Sequence, residues 1–276
     1  MRPSSSPSDG EDARAPHFVQ SLERGLAVIR AFDEHNAELT LSDVARSTGL
    51  TRAAARRFLL TLSDLGYVHT DGRWFTLSPR VLELGYAYLS SQSLPEVAEP
   101  HLERLVAEVH ESSSVSVLDG EDIVYVARVP TARIMAVSIN VGTRFPAYAT
   151  SMGRVLLSCL PDEELEAYLQ RVELRPLSPR TVTSREALRA ELAKARTQGW
   201  ALVDQELEEG LRSIAAPIRD RGGRTVAAVN LSAHASRMSI ENGRRKLVPP
   251  LLATAARIEA DLRAARSKHP QRTAGA

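Results

Sequence analysis

The sequence predicts an α+β protein in three parts: an N-terminal winged helix-turn-helix, a linker helix, and a C-terminal domain on a mainly antiparallel sheet. Three observations lead there. After Phe18 the patterns run helix, helix, tight turn, helix and Asp-Gly hairpin within about sixty residues. Over the rest of the chain strand and helix patterns interleave, as they do when helices cover an antiparallel sheet. Cationic charge gathers on one early helix, although the formal net charge of the 276 residues is only +1.

The chain is long enough for two domains, and 43% apolar residues can build a real core. A near-neutral total says nothing about partners, so any basic surface must be local. One cysteine, Cys159, rules out an internal disulfide framework and fits a reducing cytosol. No apolar run reaches spanning length, and the N-terminus lacks the basic-then-apolar order of a signal peptide. MRPSSSPSDGEDARAP (1–16) and the final stretch 267–276 read as disordered tails, so the expectation is a soluble cytoplasmic protein without a membrane partner.

In VQSLERGLAVIRAF, Val19, Leu22, Leu26, Ile29 and Phe32 recur at helical steps, which predicts an amphipathic helix. Thr40 followed by Asp43 resembles a capping box, with Asp where Glu is commoner, and opens the short helix LSDVARST. Gly49 ends it. Thr51 caps the next helix, which runs to about Leu65 before Gly66. Val68, Trp74, Phe75 and Leu77 flank Asp71-Gly72 as a hairpin. These elements define a DNA-binding domain over 17–80, followed by a linker helix over 81–93 and a two-proline hinge in SQSLPEVAEP. The domain over 94–266 begins with the helix of LPEVAEPHLERLVAEVHES. Two strands meet near Asp119-Gly120, and ARIMAVSINVG is a third. Helices follow in ATSMGRVLLSCL, PDEELEAYLQRV and SREALRAELAKARTQGW. Three more strands turn at Gly222-Gly223, and Pro249-Pro250 fix where a long closing helix starts.

Between Asp43 and Asp64 there is no acid, while Arg46, Arg52, Arg56 and Arg57 supply four positive charges. In register, Val44, Leu50, Ala55, Phe58, Leu59 and Leu62 form a buried seam, Ala45 permits close helix approach, and Gly49 makes the turn. Thr51, Arg52, Ala53, Arg56 and Arg57 are left facing outward. A rigid cationic helix of this kind is the footprint of a phosphate-backbone partner, and arginine also forks onto guanine O6 and N7. Arg73, in the wing's turn, is a further candidate contact.

In PAYATSMGRVLLSCL, Thr150 or Ser151 can cap a helix with Gly153 in its first turn, leaving free N–H groups at its positive end, where a carboxylate can rest. Asn230 and Ser232 share a strand face at spacing two. Arg133 is a candidate counter-charge for a second carboxylate.

VQSLERGLAVIRAF, LTLSDVARSTGLTRAAARRFLLTLSDLGYV, VGTRFPAYATSMGRVLLS and RSIAAPIRDRGGRTVAAVNLSAHASRM resemble the IclR family of bacterial transcriptional regulators from about Phe18 to Arg266. TRAAARRFLLTL looks like the subgroup controlling the β-ketoadipate pathway, the PcaR, PcaU and PobR type. Many other members carry Ser-Thr where this chain has Ala53-Ala54, which makes reading at those positions less polar. The resemblance implies a winged helix-turn-helix joined to a GAF-like effector domain that also oligomerises. It implies dimers or dimers of dimers on operator DNA, regulated by a small aromatic or dicarboxylic acid such as protocatechuate, 4-hydroxybenzoate or β-ketoadipate. It carries the effector carboxylate onto Ser151 and Met152, and other pocket roles onto Asp204, Ser213, Asn230 and Ser232. Ser213 stands where some relatives have Cys.

RNA polymerase is a candidate further partner; no cofactor or metal is expected. An enzyme is the alternative of another class. However, the chain has no G-x-S-x-G elbow, no H-E-x-x-H, no Cys/His metal cluster and only scattered histidines. A regulator sensing a different small acid and a constitutive DNA-architectural protein complete the alternatives.

Overall fold

A computed structural model describes residues 17–33, 36–85, 94–131, 139–237 and 239–265. The chain divides into two compact units, Met1–Tyr88 and Leu89–Ala276.

The first unit runs α1 (Gln20–Arg30), β1 (Glu38–Thr40), α2 (Leu41–Thr48), α3 (Arg52–Asp64), β2 (Val68–Thr70) and β3 (Trp74–Leu77). The strands form an antiparallel sheet in the order β1-β3-β2. β1 is too short for alternation to announce it, and it is held only because Glu38, Leu39 and Thr40 pair with Thr76, Phe75 and Trp74. The core joins Val28 and Phe32 to Val44, Ala55, Leu59, Leu62, Val68 and Phe75. Thus only the C-terminal half of α1 packs inward. On the apolar face of this amphipathic helix, Val19, Leu22 and Leu26 are 57%, 63% and 49% exposed.

Local chemistry sets the helix ends. Thr40 and Asp43 form a full capping box: the Asp43 amide donates to Thr40 Oγ1 at 3.3 Å, and the Thr40 amide donates to Asp43 Oδ2 at 3.1 Å. Gly49 closes α2 at φ 67°, left-handed backbone that a side chain would strain. Thr51 Oγ1 accepts from the Ala54 amide at 3.2 Å to start α3. In the hairpin, Asp71 Oδ1 accepts from the amides of Arg73 and Trp74 at 2.9 and 2.8 Å.

The Thr40 hydroxyl, then its amide, hold the Asp43 carboxyl below its ordinary range, with Arg46 adding a smaller push. A carboxylate depressed in the fold stabilises it above the ordinary carboxylate range and stops doing so as pH falls through the lowered pKa. Asp43→Asn therefore melts below the wild type at neutral pH, and the gap closes on acidification; melting curves across pH check this.

Pro79–Val81 form a single 3₁₀ turn capped by Ser78, followed by helical residues 82–85. The remainder of the expected linker helix, and both expected tails, lie outside the described residues.

The second unit has a six-stranded antiparallel sheet, β6-β5-β4-β9-β8-β7. Its strands are β4 (Ser112–Asp119), β5 (Asp122–Val129), β6 (Arg144–Pro146), β7 (Ala201–Asp204), β8 (Leu211–Arg219) and β9 (Thr225–His234). On one face lie α4 (Leu94–Val109) and α8 (Ile240–Ala265). On the other lie α5 (Ser151–Ser158), α6 (Asp162–Arg171) and α7 (Arg185–Gln198). Burial on both faces explains why β8 and β9 read as nearly continuous apolar runs.

Two expectations are corrected here, and a third lies mostly outside the described residues. The prolines assigned to a hinge lie in α4: Pro95 is in its first turn, where its missing N–H costs nothing, and Pro100 is inside it. Pro249 and Pro250 do not start the closing helix; α8 begins at Ile240 and runs through them. There Leu247, Val248, Leu251, Ala255 and Ile258 pack on the sheet, which outweighs two lost backbone bonds. Most of the strand expected in ARIMAVSINVG lies outside the described residues, and the strand seen nearby is Arg144–Pro146.

Candidate functional site

In the first unit, Arg52, Arg56 and Leu60 lie on one side of α3 and face Thr70, Gly72 and Arg73 across a cleft of about 480 Å³. The spacing of four between 52, 56 and 60 places them on one helical face. Arg73 stacks on Trp74, 5.5 Å from the ring centre, which braces it at the wing. Among the described residues no carboxylate pairs with Arg52, Arg56 or Arg57. Arg46 differs: it turns back to Asp43 at 3.2 Å, so the expected fourth cation is partly neutralised. Arg57 is exposed but does not line the cleft. Ala53 is exposed on the first turn, and Thr51 is occupied as its cap.

In the second unit, a small cavity of about 10 Å³ lies between the α5 N-terminus and the sheet. Thr150 caps α5 by accepting from the Gly153 amide at 3.0 Å, which leaves the N–H groups of Ser151 and Met152 without helical partners. The Ser151 hydroxyl is buried and has no hydrogen-bond partner among the described residues. Opposite stand Ser213, Asn230 and Ser232. Asn230 Nδ2 donates to Ser232 Oγ at 3.0 Å, and Asn230 Oδ1 accepts from the Ser114 amide at 2.9 Å. Gly153 is required by close approach: a Cβ there would lie 2.1 Å from the carbonyl oxygen of Ala147.

Of the expected effector residues, Ser151, Met152, Ser213, Asn230 and Ser232 line this one cavity. Asp204 does not. It pairs with Arg212 while Val203 pairs with Ser213, so strand alternation puts Val203 on the cavity face and Asp204 on the other. Its carboxylate accepts from Arg212 at 2.7 Å and from Arg180 at 2.9 Å. Arg133 lies outside the described residues.

Sequence reasoning missed Tyr125, Ile139, Ala149, Val203, Leu207 and Leu211, which complete the lining. Nothing distinguishes them in the sequence from ordinary apolar core. Burial pushes the Tyr125 phenol up to about 12, against an opposing pull from Arg128, so it remains a neutral hydroxyl at physiological pH. One turn into α5, Arg154 is fully buried. Its guanidinium donates to Glu206 at 2.5 Å and to the Tyr148 carbonyl at 3.0 Å, tying α5 to the β7–β8 loop. Among the described residues no group of His, Cys, Asp and Glu is placed to hold a metal, and no helix is long and apolar enough to cross a membrane.

Two family models match: the IclR helix-turn-helix domain over residues 21–72, and the bacterial transcriptional regulator IclR C-terminal domain over 86–260. The chain is 47% identical over 239 residues to the Pca regulon regulatory protein of Pseudomonas putida, covering 86% of this chain and 82% of that one. It is 36% identical over 254 residues to the p-hydroxybenzoate hydroxylase transcriptional activator of Acinetobacter baylyi, covering 90% and 94%. A transcriptional regulator from Rhodococcus sp. RHA1, solved by crystallography, shares 63% identity with a TM-score of 0.80, over 89% of this chain and 98% of that one. The IclR homologue of Microbacterium hydrocarbonoxydans, solved in complex with 4-hydroxybenzoate, shares 29% identity with a TM-score of 0.78, over 88% and 99%. A recognition helix beside a braced wing, an effector-type domain on an antiparallel sheet, and these relatives agree: the chain belongs to the IclR family of bacterial transcriptional regulators, beside the Pca and p-hydroxybenzoate regulators, and is not an enzyme.

Proposed function

We propose that this regulator controls aromatic catabolism genes in the cytoplasm, reading operator DNA with α3 and the wing and responding to a small aromatic or dicarboxylic acid in the α5 cavity. The observation that carries the second half is the buried, unpartnered Ser151 hydroxyl beside the free N–H groups of the α5 N-terminus. A buried hydroxyl without a partner costs about 1–3 kcal/mol. A ligand carboxylate relieves that cost and meets the positive end of the helix dipole at the same point. Asn230, Ser232, Ser213 and the neutral Tyr125 hydroxyl supply partners for a ring hydroxyl. Support also comes from the bound 4-hydroxybenzoate in the Microbacterium relative and from the pathways that the P. putida and A. baylyi relatives' names specify.

A cavity of about 10 Å³ holds roughly one water. An aromatic acid must therefore open it, so the ligand prefers the opened arrangement, and that difference in affinity can shift a DNA-binding equilibrium. Arg52, Arg56 and Arg73 contact the duplex in this reading. Arg57, Thr51 and Ala53 border them, and Arg46 acts only after leaving Asp43. The exposed Val19, Leu22 and Leu26 form an apolar stripe at the start of α1 that suits a second copy of the chain, and two recognition helices are needed for specific binding.

Calorimetry of the full-length protein with 4-hydroxybenzoate, protocatechuate and β-ketoadipate tests this. At least one acid binds, and Asn230→Ala weakens it about tenfold while operator affinity without ligand stays unchanged. Wild-type protein that binds none of the three sinks the effector reading.

A further inference from the structure

The second unit holds several arginines on or near the sheet, and two of the most buried are neutralised. Arg154 pairs with Glu206, and Arg212 pairs with Asp204. Arg128 is different. It is half-buried on β5, and among the described residues its side chain's one hydrogen bond runs from Nη1 to the neutral Ser114 hydroxyl at 3.3 Å. Among the described residues no carboxylate pairs with it. The internal stretches of this unit outside the described residues, 89–93, 132–138 and 238, contain no Asp or Glu either. Burial makes its charged form harder to keep, which lowers its pKa from the ordinary arginine value. A cation held partly out of water with no counter-ion is costly, and an anion from outside the chain removes that cost.

Its position says where such an anion sits. Residues paired across neighbouring antiparallel strands share a face: Arg128 pairs with Ser114, and Ser114 pairs with Asn230. Asn230 lines the cavity, so Arg128 lies on the cavity face, two strands away. A continuous polar row crosses three strands there, from Arg128 through Ser114 and Asn230 to Ser232. Tyr125 is on this face as well, although an odd spacing of three would normally separate it from Arg128. A bulge explains this: Ala127 pairs with Val115 and Tyr125 with Ser116, which leaves Val126 as an extra residue that reverses the alternation. Val126 and Ala127 accordingly both pack into the core on the opposite face.

We infer that Arg128 is a specificity-determining residue of the effector site, a counter-ion that receives a carboxylate of the bound acid from the sheet side of the cavity. This rests on the effector reading above. It takes the role that the sequence suggested for Arg133 and gives it to a residue whose face is set by strand pairing. The carboxylate is the second one of a diacid whose first rests at α5.

The test uses full-length wild type, Arg128→Met and Arg128→Lys, titrated calorimetrically with 4-hydroxybenzoate, protocatechuate, β-ketoadipate and the neutral 4-hydroxybenzamide. Arg128→Met loses about 10–100-fold in affinity for β-ketoadipate, as expected for a charge-assisted bond, with no comparable loss for 4-hydroxybenzoate or the amide. Arg128→Lys recovers part of the loss. A drop for the diacid alone supports the inference, and an equal drop for 4-hydroxybenzoate overturns it, because the single carboxylate of that acid rests at α5. The melting temperature of Arg128→Met stays level or rises, because an unpaired cation has been removed, whereas a purely structural role lowers it. If Arg128→Met binds β-ketoadipate as well as the wild type does, or the wild type binds 4-hydroxybenzoate or protocatechuate but not the diacid, the inference falls while the effector reading stands. If the wild type binds none of the three acids, both fall.

Discussion

Exchanging Arg52 and Arg56 together for alanine abolishes specific operator recognition. Both side chains line the cleft between α3 and the wing, four residues apart on one face, and among the described residues no acid pairs with either. Each arginine-base contact is worth roughly 1–3 kcal/mol of discrimination, and a symmetric dimer loses it at both half-sites. Gel shifts at moderate salt should then need about a hundredfold more protein or more. Each lost phosphate contact also flattens the salt dependence by a slope of about 0.9. The fold survives, since exposed positions without partners change stability by no more than about 0.5 kcal/mol. Arg57→Ala, outside the cleft, loses less than Arg56→Ala. Normal operator affinity and an unchanged salt slope in the double variant would refute the placement of the duplex in this cleft.

Gly153→Ala should be the most damaging small substitution in the effector unit. On propensity alone, alanine improves a helix and often stabilises by about 0.4–1 kcal/mol. Here the added carbon would lie 2.1 Å from the Ala147 carbonyl oxygen and 2.4 Å from its Cα. Both are backbone atoms, so no rotamer change can make room; α5 or the 147–149 turn must shift. Overpacking of this kind costs about 3 kcal/mol, at the upper end of the usual range. The shift also displaces the Ser151 and Met152 amides, so effector binding disappears. Thermal melts and calorimetry read the two losses. A variant that melts with the wild type and binds acid normally would show that the approach of these two backbones is not needed.

These two predictions differ in where their warrant lies. Arg52 and Arg56 were legible because everything that places them is local: the Thr40–Asp43 box, the Gly49 turn, the Thr51 cap and the periodicity of the seam act within a few residues. The cleft's composition was not, since it depends on how the hairpin folds back on α3. Ser151, Asn230 and Ser232 were found through family resemblance, and their meeting in one cavity is a matter of strand order. Asp204 failed for want of register. Its neighbour Val203 takes the cavity face, and no pattern in WALVDQ distinguishes the two. Arg128 could not be found from sequence, because a single bulged residue, Val126, decides which face it occupies.

By itself, the sequence determined the α+β fold class, the helix boundaries that carry caps and left-handed glycines, and the cationic face of α3, since the helix ends and that face follow from interactions within a turn or two of chain. Only the tertiary structure decided which half of α1 is buried, that prolines persist inside α4 and α8, and which polar side chains face the cavity. Those outcomes depend on what a residue meets across a sheet or between helices, and that free energy belongs to pairs of residues far apart in the chain.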